Sequence, residues 1–189
     1  MNRIQVATAC VALLLPLACG GGGGGAAPNP APGPQASTLI YTDPTGSGYR
    51  LVANPALSTA SRLTLDLVGP AGQAGQGVAF ILQTDATKVS WTQPSGSSSL
   101  VQNLAFALGS TPQAVVGLVK ANGALHGAVF QKAGSISLGQ PLLRVSLTLA
   151  PGAVSTGTPT TFAFTTGNSL SDAGAIAPIS IATGTLVAK

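Results

Sequence analysis

The sequence predicts an all-β protein in which residues 38–189 form an antiparallel β-sandwich. Short apolar runs with period-two alternation fill this part of the chain, and clusters of Gly, Pro, Ser, Thr and Asn separate them. After residue 37 no stretch shows a sustained helical period with caps. The region contains about 150 residues, which is the usual size of one domain. Together these observations indicate one sandwich domain that follows an N-terminal segment of different composition.

The clearest strand lies at residues 62–68, where Leu63, Leu65 and Leu67 share one face. Residues 143–149 repeat the pattern, with an apolar side chain at every second position. In both strands the intervening polar side chains point to the opposite face, so we expect only the leucine face to lie in the core.

This alternation also predicts how the two strands respond to substitution. Aspartate at Leu65 or at Val145 places a charge on the buried face and is expected to destabilise the domain strongly. Aspartate at Thr64 or at Ser146 falls on the other face, where we expect a much smaller cost.

Further strands are predicted wherever short apolar runs lie between turn signals, such as the Asn-Gly pair at 122–123 and the Pro-Gly pair at 151–152. These strands are at residues 39–42, 49–53, 77–84, 88–92, 101–108, 113–120, 124–131, 160–165 and 176–187. A short helix at 100–108 is the alternative for one of them.

Four stretches of the chain share the order and spacing of a known group of domains. They are a leucine-rich first strand at 62–68, a second strand ending in an aspartate-led turn at 77–89, a late strand after Gly-x-Pro-Leu at 139–149, and a closing Gly-x-Leu-Val at 184–187. This pattern resembles the cohesin-like group and covers roughly residues 62–189. The resemblance implies a jelly-roll sandwich of about nine strands, shared with one large class of carbohydrate-binding domains. No dockerin-contact residue can be carried over to this chain.

The N-terminus predicts export and lipidation. A nearly all-apolar run from Val6 to Ala18 is shorter than the approximately 20 residues that span a bilayer, but it fits the core of a secretory signal. Leu15, Leu17 and Ala18 directly before Cys19 resemble the lipobox of bacterial lipoproteins. The resemblance implies cleavage after residue 18 and a lipid on Cys19. The alternative is ordinary signal cleavage, with Cys19 a chance residue.

Residues 1–18 are therefore predicted to be the signal peptide, and residues 19–37 the lipidated cysteine with a flexible tether. Six glycines follow the cysteine, and alternating prolines then favour an extended polyproline II path. In bacterial lipoproteins an aspartate directly after the cysteine often signals inner-membrane retention. Gly20 stands at that position, so the lipoprotein resemblance implies the outer membrane.

Charge is sparse in this chain. It contains four aspartates and no glutamate, and its lysines and arginines are scattered singly. Nucleic-acid binding requires clustered cations, so we predict none. Because no cysteine follows Cys19, the folded domain has no disulfide and depends on its apolar core.

Few residues could support catalysis. His126 is the one histidine and lies in a predicted strand, while Asp85 and Asp172 lie beside turn-like sequence, where aspartate is common for backbone reasons. A Gly-x-Ser-x-Gly elbow is absent from the sequence, and the glycine-rich residues 69–77 lack the Lys-Ser/Thr ending of a phosphate loop. We predict no enzyme, no cofactor and no metal site built from side chains; a structural calcium held by backbone carbonyls stays open.

The favoured function is a non-enzymatic, lipid-anchored envelope module that presents the sandwich to a protein partner. One alternative is a module that binds polysaccharide, with Trp91, Tyr41 and Tyr49 as the candidate ligand contacts. That alternative requires Trp91 and at least one tyrosine to lie exposed in a common plane. The other alternative is a structural role in an envelope assembly, favoured if the domain self-associates.

Overall fold

The computed structural model describes residues 33–109 and 115–189, and within these ranges the regular structure is entirely β. Residues 32–189 form one compact unit. None of the residues in the two described ranges forms a helix of the length and apolarity needed to cross a membrane. The predicted signal peptide and Cys19 lie outside the described residues.

Fifteen strands occur in this part of the chain, four of them only two residues long. In chain order they are β1 (Leu39–Thr42), β2 (Tyr49–Ala53), β3 (Arg62–Val68), β4 (Ala74–Thr84), β5 (Val89–Thr92), β6 (Gln102–Asn103), β7 (Val115–Val119), β8 (Ala124–Phe130), β9 (Ile136–Ser137), β10 (Pro141–Leu149), β11 (Pro159–Thr160), β12 (Phe162–Ser171), β13 (Ile176–Pro178), β14 (Ile181–Ala182) and β15 (Thr185–Ala188).

Two six-stranded sheets build the sandwich. The first has the order β14-β2-β3-β10-β5, with β6 also paired to β10, and we call it the β3 sheet. The second has the order β13-β12-β4-β8-β7, with β9 also paired to β4, and we call it the β4 sheet. A three-stranded ribbon, β1-β15-β11, completes the structure. Among the strand pairs of the described residues, β14 with β2 is parallel and the others are antiparallel.

The two sheets pack face to face around a single apolar core. From the β3 sheet, Leu65 and Val145 are cross-strand neighbours and both are fully buried. From the β4 sheet, Val78, Leu82 and Leu125 are fully buried in the same cluster. The predicted all-β sandwich and the leucine face of residues 62–68 are confirmed.

The other side of the β3 sheet is covered by residues 54–61, which connect β2 to β3. The Thr64 hydroxyl donates to the Leu57 carbonyl at 3.0 Å, and the Thr64 N–H donates to the Ser58 hydroxyl at 2.9 Å. Across the sheet, the hydroxyls of Thr64 and Ser146 lie 3.0 Å apart, and neither residue is exposed. The prediction that this face tolerates charge is therefore wrong, because the connecting loop buries it as well.

A second polar pair on this covered side joins the same two strands. The Arg144 guanidinium donates to both carboxylate oxygens of Asp66, at 2.6 Å and 3.0 Å, and Asn54 donates to the same carboxylate at 2.9 Å. These hydrogen bonds raise the pKa of Arg144 above its already high value. Charge-assisted bidentate pairs of this kind are among the stronger hydrogen bonds.

The segment at 101–108 differs most from its prediction. Only Gln102–Asn103 is a strand, and no helix forms there. The Asn103 side chain accepts the N–H of Phe106 at 3.0 Å and donates to the Phe106 carbonyl at 2.7 Å. Asparagine side chains compete with sheet ladders in this manner, so the chain turns where a strand was expected.

Two other predicted strands differ in extent. The strand expected at 160–165 is divided, since Thr160 belongs to β11 and β12 begins at Phe162. Strand β12 then continues to Ser171, because it resumes its pairing with β4 after a register shift between Phe164 and Thr166. The strand expected at 176–187 is divided into β13, β14 and β15. One break follows Pro178, which lacks a backbone donor, and the next precedes β15 at Gly184, where a Cβ would overlap the Thr42 carbonyl.

The chain enters and leaves the compact unit at the same end of the sandwich. Thr38 donates to the Lys189 carbonyl at 2.7 Å, and Lys189 donates back to Thr38 at 2.9 Å. Gln35 forms an isolated bridge with Val154. Residues 35–38 are thus bonded to the compact unit, and the start of the domain at residue 38 stays a prediction.

Candidate functional site

The outward side of the β4 sheet is the candidate site, and we call it the outer face. Along β4, Val78 and Phe80 point into the core, while Ala79 and Ile81 point outward and are half-buried. The same alternation in the neighbouring strands completes the set. The outer face comprises Ala79, Ile81, Val116, Leu118, His126, Ala128, Phe130, Thr166, Asn168, Leu170 and Ile176.

The edge strand β7 contributes the most exposed apolar side chains at one side of this face. Val116 lies opposite Ala128, and Leu118 lies opposite His126. Val116 and Leu118 each leave 49% of their surface exposed. Branched apolar side chains suit a pleated strand, but an outward position normally carries a polar residue.

At the other side of the face, β12 and β13 continue the apolar surface. Leu170 of β12 is paired with Ile176 of β13, and Ile176 is 75% exposed. Asn168, a polar residue of β12, pairs with Ala79 of β4. The outer face therefore extends across all five strands of the sheet path.

A row of inward-facing positions, most of them glycine, crosses the centre of the β4 sheet. Gly117, Gly127, Phe80 and Gly167 are successive cross-strand neighbours on β7, β8, β4 and β12. A Cβ at Gly127 would overlap the Phe80 ring, so the glycine is needed where that ring packs against the strand. Phe80 alone supplies a side chain to this row, and it points inward.

Two adjoining depressions lie above this row. One has a volume of about 300 Å³ and is lined by residues that include Ile81, Val116 and His126. The other has a volume of about 290 Å³ and includes Leu170 among its lining residues. Ala79 and Asn168 line both, and His126 is the one titratable side chain in either lining.

The two sheets differ sharply on their outward sides. The outward side of the β3 sheet is polar, with the Thr64–Ser146 and Asp66–Arg144 pairs, and a loop covers it. The outward side of the β4 sheet is apolar, and its side chains remain exposed. Contiguous apolar surface of this kind marks an interaction site, because exposing it to water is unfavourable.

Comparisons with known proteins agree with the observed architecture. No protein-family model matches the sequence, and the search of curated proteins finds no relative. Solved structures of cohesins are similar in fold. The second type II cohesin of the ScaA scaffoldin from Acetivibrio cellulolyticus matches with a TM-score of 0.53 and 10% identity, covering 77% of this chain and 98% of its own.

Two structures of complexes from the same organism give comparable matches. The sixth cohesin of scaffoldin B, solved with a dockerin mutant, has a TM-score of 0.52 and 11% identity over 75% of this chain and 96% of its own. A type II cohesin–X–dockerin complex has a TM-score of 0.52 and 10% identity over 73% and 95%. The fold is a cohesin-like β-sandwich.

In this cohesin-like sandwich Tyr49 and Tyr41 are held by the core. Tyr49 is 7% exposed, and burial raises its pKa. The Tyr41 hydroxyl donates to the Leu51 carbonyl at 3.0 Å and accepts the Gly184 N–H at 2.7 Å. Burial raises the pKa of Tyr41 to about 12. Burial and internal hydrogen bonds thus account for the positions of both tyrosine side chains.

Trp91 is also placed against the core. Its Nε1–H donates to the Gly123 carbonyl at 2.9 Å, and its ring centroid lies 6.3 Å from that of Phe162. The Phe162 ring also contacts Tyr41 edge-on, at 5.9 Å. The three candidate ligand contacts stay a prediction, but their rings do not form the exposed plane on which sugar stacking depends.

The remaining ionisable residues are dispersed over the cohesin-like sandwich. Asp85 accepts the Thr87 hydroxyl at 2.6 Å and the Thr87 N–H at 2.9 Å, and these bonds lower its pKa. It is the first residue of a turn, as its sequence context indicated.

Asp172 is exposed in the turn between β12 and β13, and His126 lies on the outer face. Over residues 33–109 and 115–189, no three His, Cys, Asp or Glu side chains meet to form a metal site.

Sequence reasoning did not single out the residues of the outer face. The strands at 113–120 and 124–131 were predicted, but Val116 and Leu118 lie in the uninterrupted apolar run VVGLV. Such a run carries no alternation that separates an inward from an outward side. The signal that could have revealed them is the absence of any charged residue between His126 and Gln131 and between Val115 and Val119.

Proposed function

We propose that the chain is a non-enzymatic, lipid-anchored envelope module that binds a protein partner through the outer face. The observation that carries this proposal is the apolar outward side of the β4 sheet, which five strands hold in a fixed arrangement. An antiparallel sheet in a sandwich needs only one apolar face to bury, so a second one requires a different explanation.

The chemistry of the outer face favours an uncharged protein surface as its occupant. Exposed Val116, Leu118 and Ile176 offer apolar area, while Asn168 and Thr166 offer hydrogen-bonding groups between them. Protein interfaces combine an apolar centre with scattered polar groups in this way. Because the face has no Asp, Glu, Lys or Arg side chain, we expect its binding to depend only weakly on salt.

The similar solved structures support a protein as the partner class. Cohesins with this fold occur in complexes with dockerins. The fold alone does not determine function, so the proposal rests on the apolar face and not on the identity of those partners. A polysaccharide partner receives no comparable support, because Trp91, Tyr41 and Tyr49 pack against the core.

Lipid anchoring rests on the sequence before residue 33. Cys19 follows the lipobox-like residues 15–18, and thirteen residues separate it from Gly33. Two or more acyl chains at one cysteine make a stable membrane anchor, whereas one gives only marginal binding. We therefore propose the outer membrane as the location, through Cys19.

Site-specific photocrosslinking in cells of the source organism tests the protein-binding role. A photoreactive residue at Val116 is expected to give a discrete crosslinked product with another protein, since this side chain lies on the proposed contact surface. The matched control is the same residue at Ile40, which is 46% exposed against 49% for Val116 but lies on β1, outside the β4 sheet.

Crosslinking at Val116 and none at Ile40 supports the proposal. Equal crosslinking at the two positions, or none at either, contradicts a specific outer-face interaction. A product of twice the mass of the chain indicates self-association and favours the structural alternative.

Replacing Cys19 with serine tests the anchor separately. Because only a thiol can receive the diacylglycerol, metabolic labelling with a fatty acid is expected to be lost completely in the variant. Cys10→Ser is the matched control, since that cysteine lies within the predicted signal peptide and its loss should leave labelling unchanged. Undiminished labelling of Cys19→Ser shows that the lipoprotein interpretation is wrong.

A further inference from the structure

One end of the sandwich gathers the point of chain entry and several turns, and we call it the tether end. Its turns are residues 54–61, 85–88, 120–123 and 150–158. They are joined to one another and to the chain entry by backbone hydrogen bonds: Leu39 to Ala60, Ala150 to Lys88, and Thr84 to Gly123. Gln35 and Thr38 pair at this same end with Val154 and Lys189.

Charge is distributed unevenly between the two ends. Residues 33–189 contain seven lysines and arginines and four aspartates. Three of these cations and one carboxylate belong to the tether end: Lys88, Lys120, Lys189 and Asp85. The remaining cations are Arg50, Arg62, Lys132 and Arg144, and the remaining carboxylates are Asp43, Asp66 and Asp172. Arg62 is counted here because its guanidinium donates to the Gln93 carbonyl, past the end of β5 that is remote from the turn at 85–88. Two of the three excess positive charges of this region therefore lie at the tether end.

Two of the cations at this end are available to a ligand. Lys120 and Lys189 are exposed, and neither is in an ion pair with an aspartate among the described residues. Lys88 donates to the Val154 carbonyl at 2.8 Å, so its ammonium group is held beside the bridge at which the chain enters.

An apolar cleft opens beside Lys120. It has a volume of about 390 Å³ and lies between the edge strands β5 and β7 of the two sheets. Its apolar lining includes Val89, Trp91, Leu100 and Val119. The exposed Lys120, next to an apolar cleft with a tryptophan, offers both charge and apolar area at one end of the molecule. Membrane interfaces favour this combination.

From this arrangement we propose that the tether end docks on an anionic lipid surface. This proposal rests on the proposed lipid anchor, because the anchor determines which membrane the tether end meets. A lipid on Cys19 brings this end of the sandwich toward that bilayer. With the tether end against the lipid, both sheets stand away from the surface. The outer face then remains accessible from the side to a protein partner.

Vesicle flotation of residues 32–189 tests the proposal without the anchor, since this unit contains its own complete core. The probes are vesicles of phosphatidylcholine with and without phosphatidylglycerol. Wild type is expected to float with the anionic vesicles only, and to be released as salt is raised. Each lysine near an anionic surface changes partitioning about fivefold, so Lys120→Gln with Lys189→Gln should lower it about 25-fold.

The matched control is Arg50→Gln with Lys132→Gln, which removes the same charge at the opposite end. This control is expected to retain most of the wild-type partitioning. Circular dichroism is used to check that both double variants are folded. An equal loss in the two double variants, binding that does not require phosphatidylglycerol, or no binding by wild type would each overturn the proposal. Because Cys19 is absent from the tested unit, failure of the anchor would not produce these outcomes.

Discussion

Leu65→Asp is expected to unfold the domain or to lower its free energy of unfolding by more than about 4 kcal/mol. Leu65 is fully buried at the centre of β3, and its cross-strand neighbour Val145 is equally buried. An aspartate there has no partner and loses its hydration. Urea denaturation followed by circular dichroism measures the loss.

Two further variants test the physical reason for this loss. Thr64→Asp is also expected to destabilise strongly, because Thr64 is buried under residues 54–61 and bonded to Leu57 and Ser146. Thr185→Asp, at an exposed position of β15, should change stability by less than about 0.5 kcal/mol. If Leu65→Asp costs no more than Thr185→Asp, the sandwich core is misplaced.

Strand β3 shows which part of the burial pattern the sequence predicts and which part it does not. Alternation in residues 62–68 predicted the inward leucines, because a period of two is a local property of the chain. The burial of Thr64 and Asp66 could not be predicted in this way. It depends on residues 54–61 returning over the sheet and on Arg144, which is distant in the sequence.

The candidate site was less predictable for the same reason. Strands β7 and β8 are adjacent in sequence and were expected, but the outer face also requires β4 and β12 to pair across about 80 residues. The aromatic residues proposed as ligand contacts, Trp91 among them, pack against the core instead. The surface that remained consists of ordinary valine, leucine and isoleucine residues, whose role depends on which side of the sheet they occupy.

The double variant Val116→Lys with Leu118→Lys is expected to lower partner binding by at least about tenfold, because it replaces two exposed apolar contacts with charges and a few contacts contribute most of the affinity of an interface. The two positions are each 49% exposed on the edge strand β7, where lysine is well tolerated. The variant should therefore keep the wild-type circular dichroism spectrum and unfolding midpoint.

The matched control is Ile40→Lys, which adds a charge at a position of similar exposure on β1. We expect it to bind as wild type does. Raising salt should change partner binding by wild type little, in contrast to the expected release of the tether end from anionic vesicles.

The most direct test of the protein-binding role is to measure how much of the protein crosslinked through Val116 is captured from detergent-solubilised envelopes by wild type, by the double variant and by Ile40→Lys. We predict that wild type and Ile40→Lys capture equal amounts, and that the double variant captures at least tenfold less while remaining folded. Full capture by the folded double variant would contradict the assignment of the outer face as the binding surface.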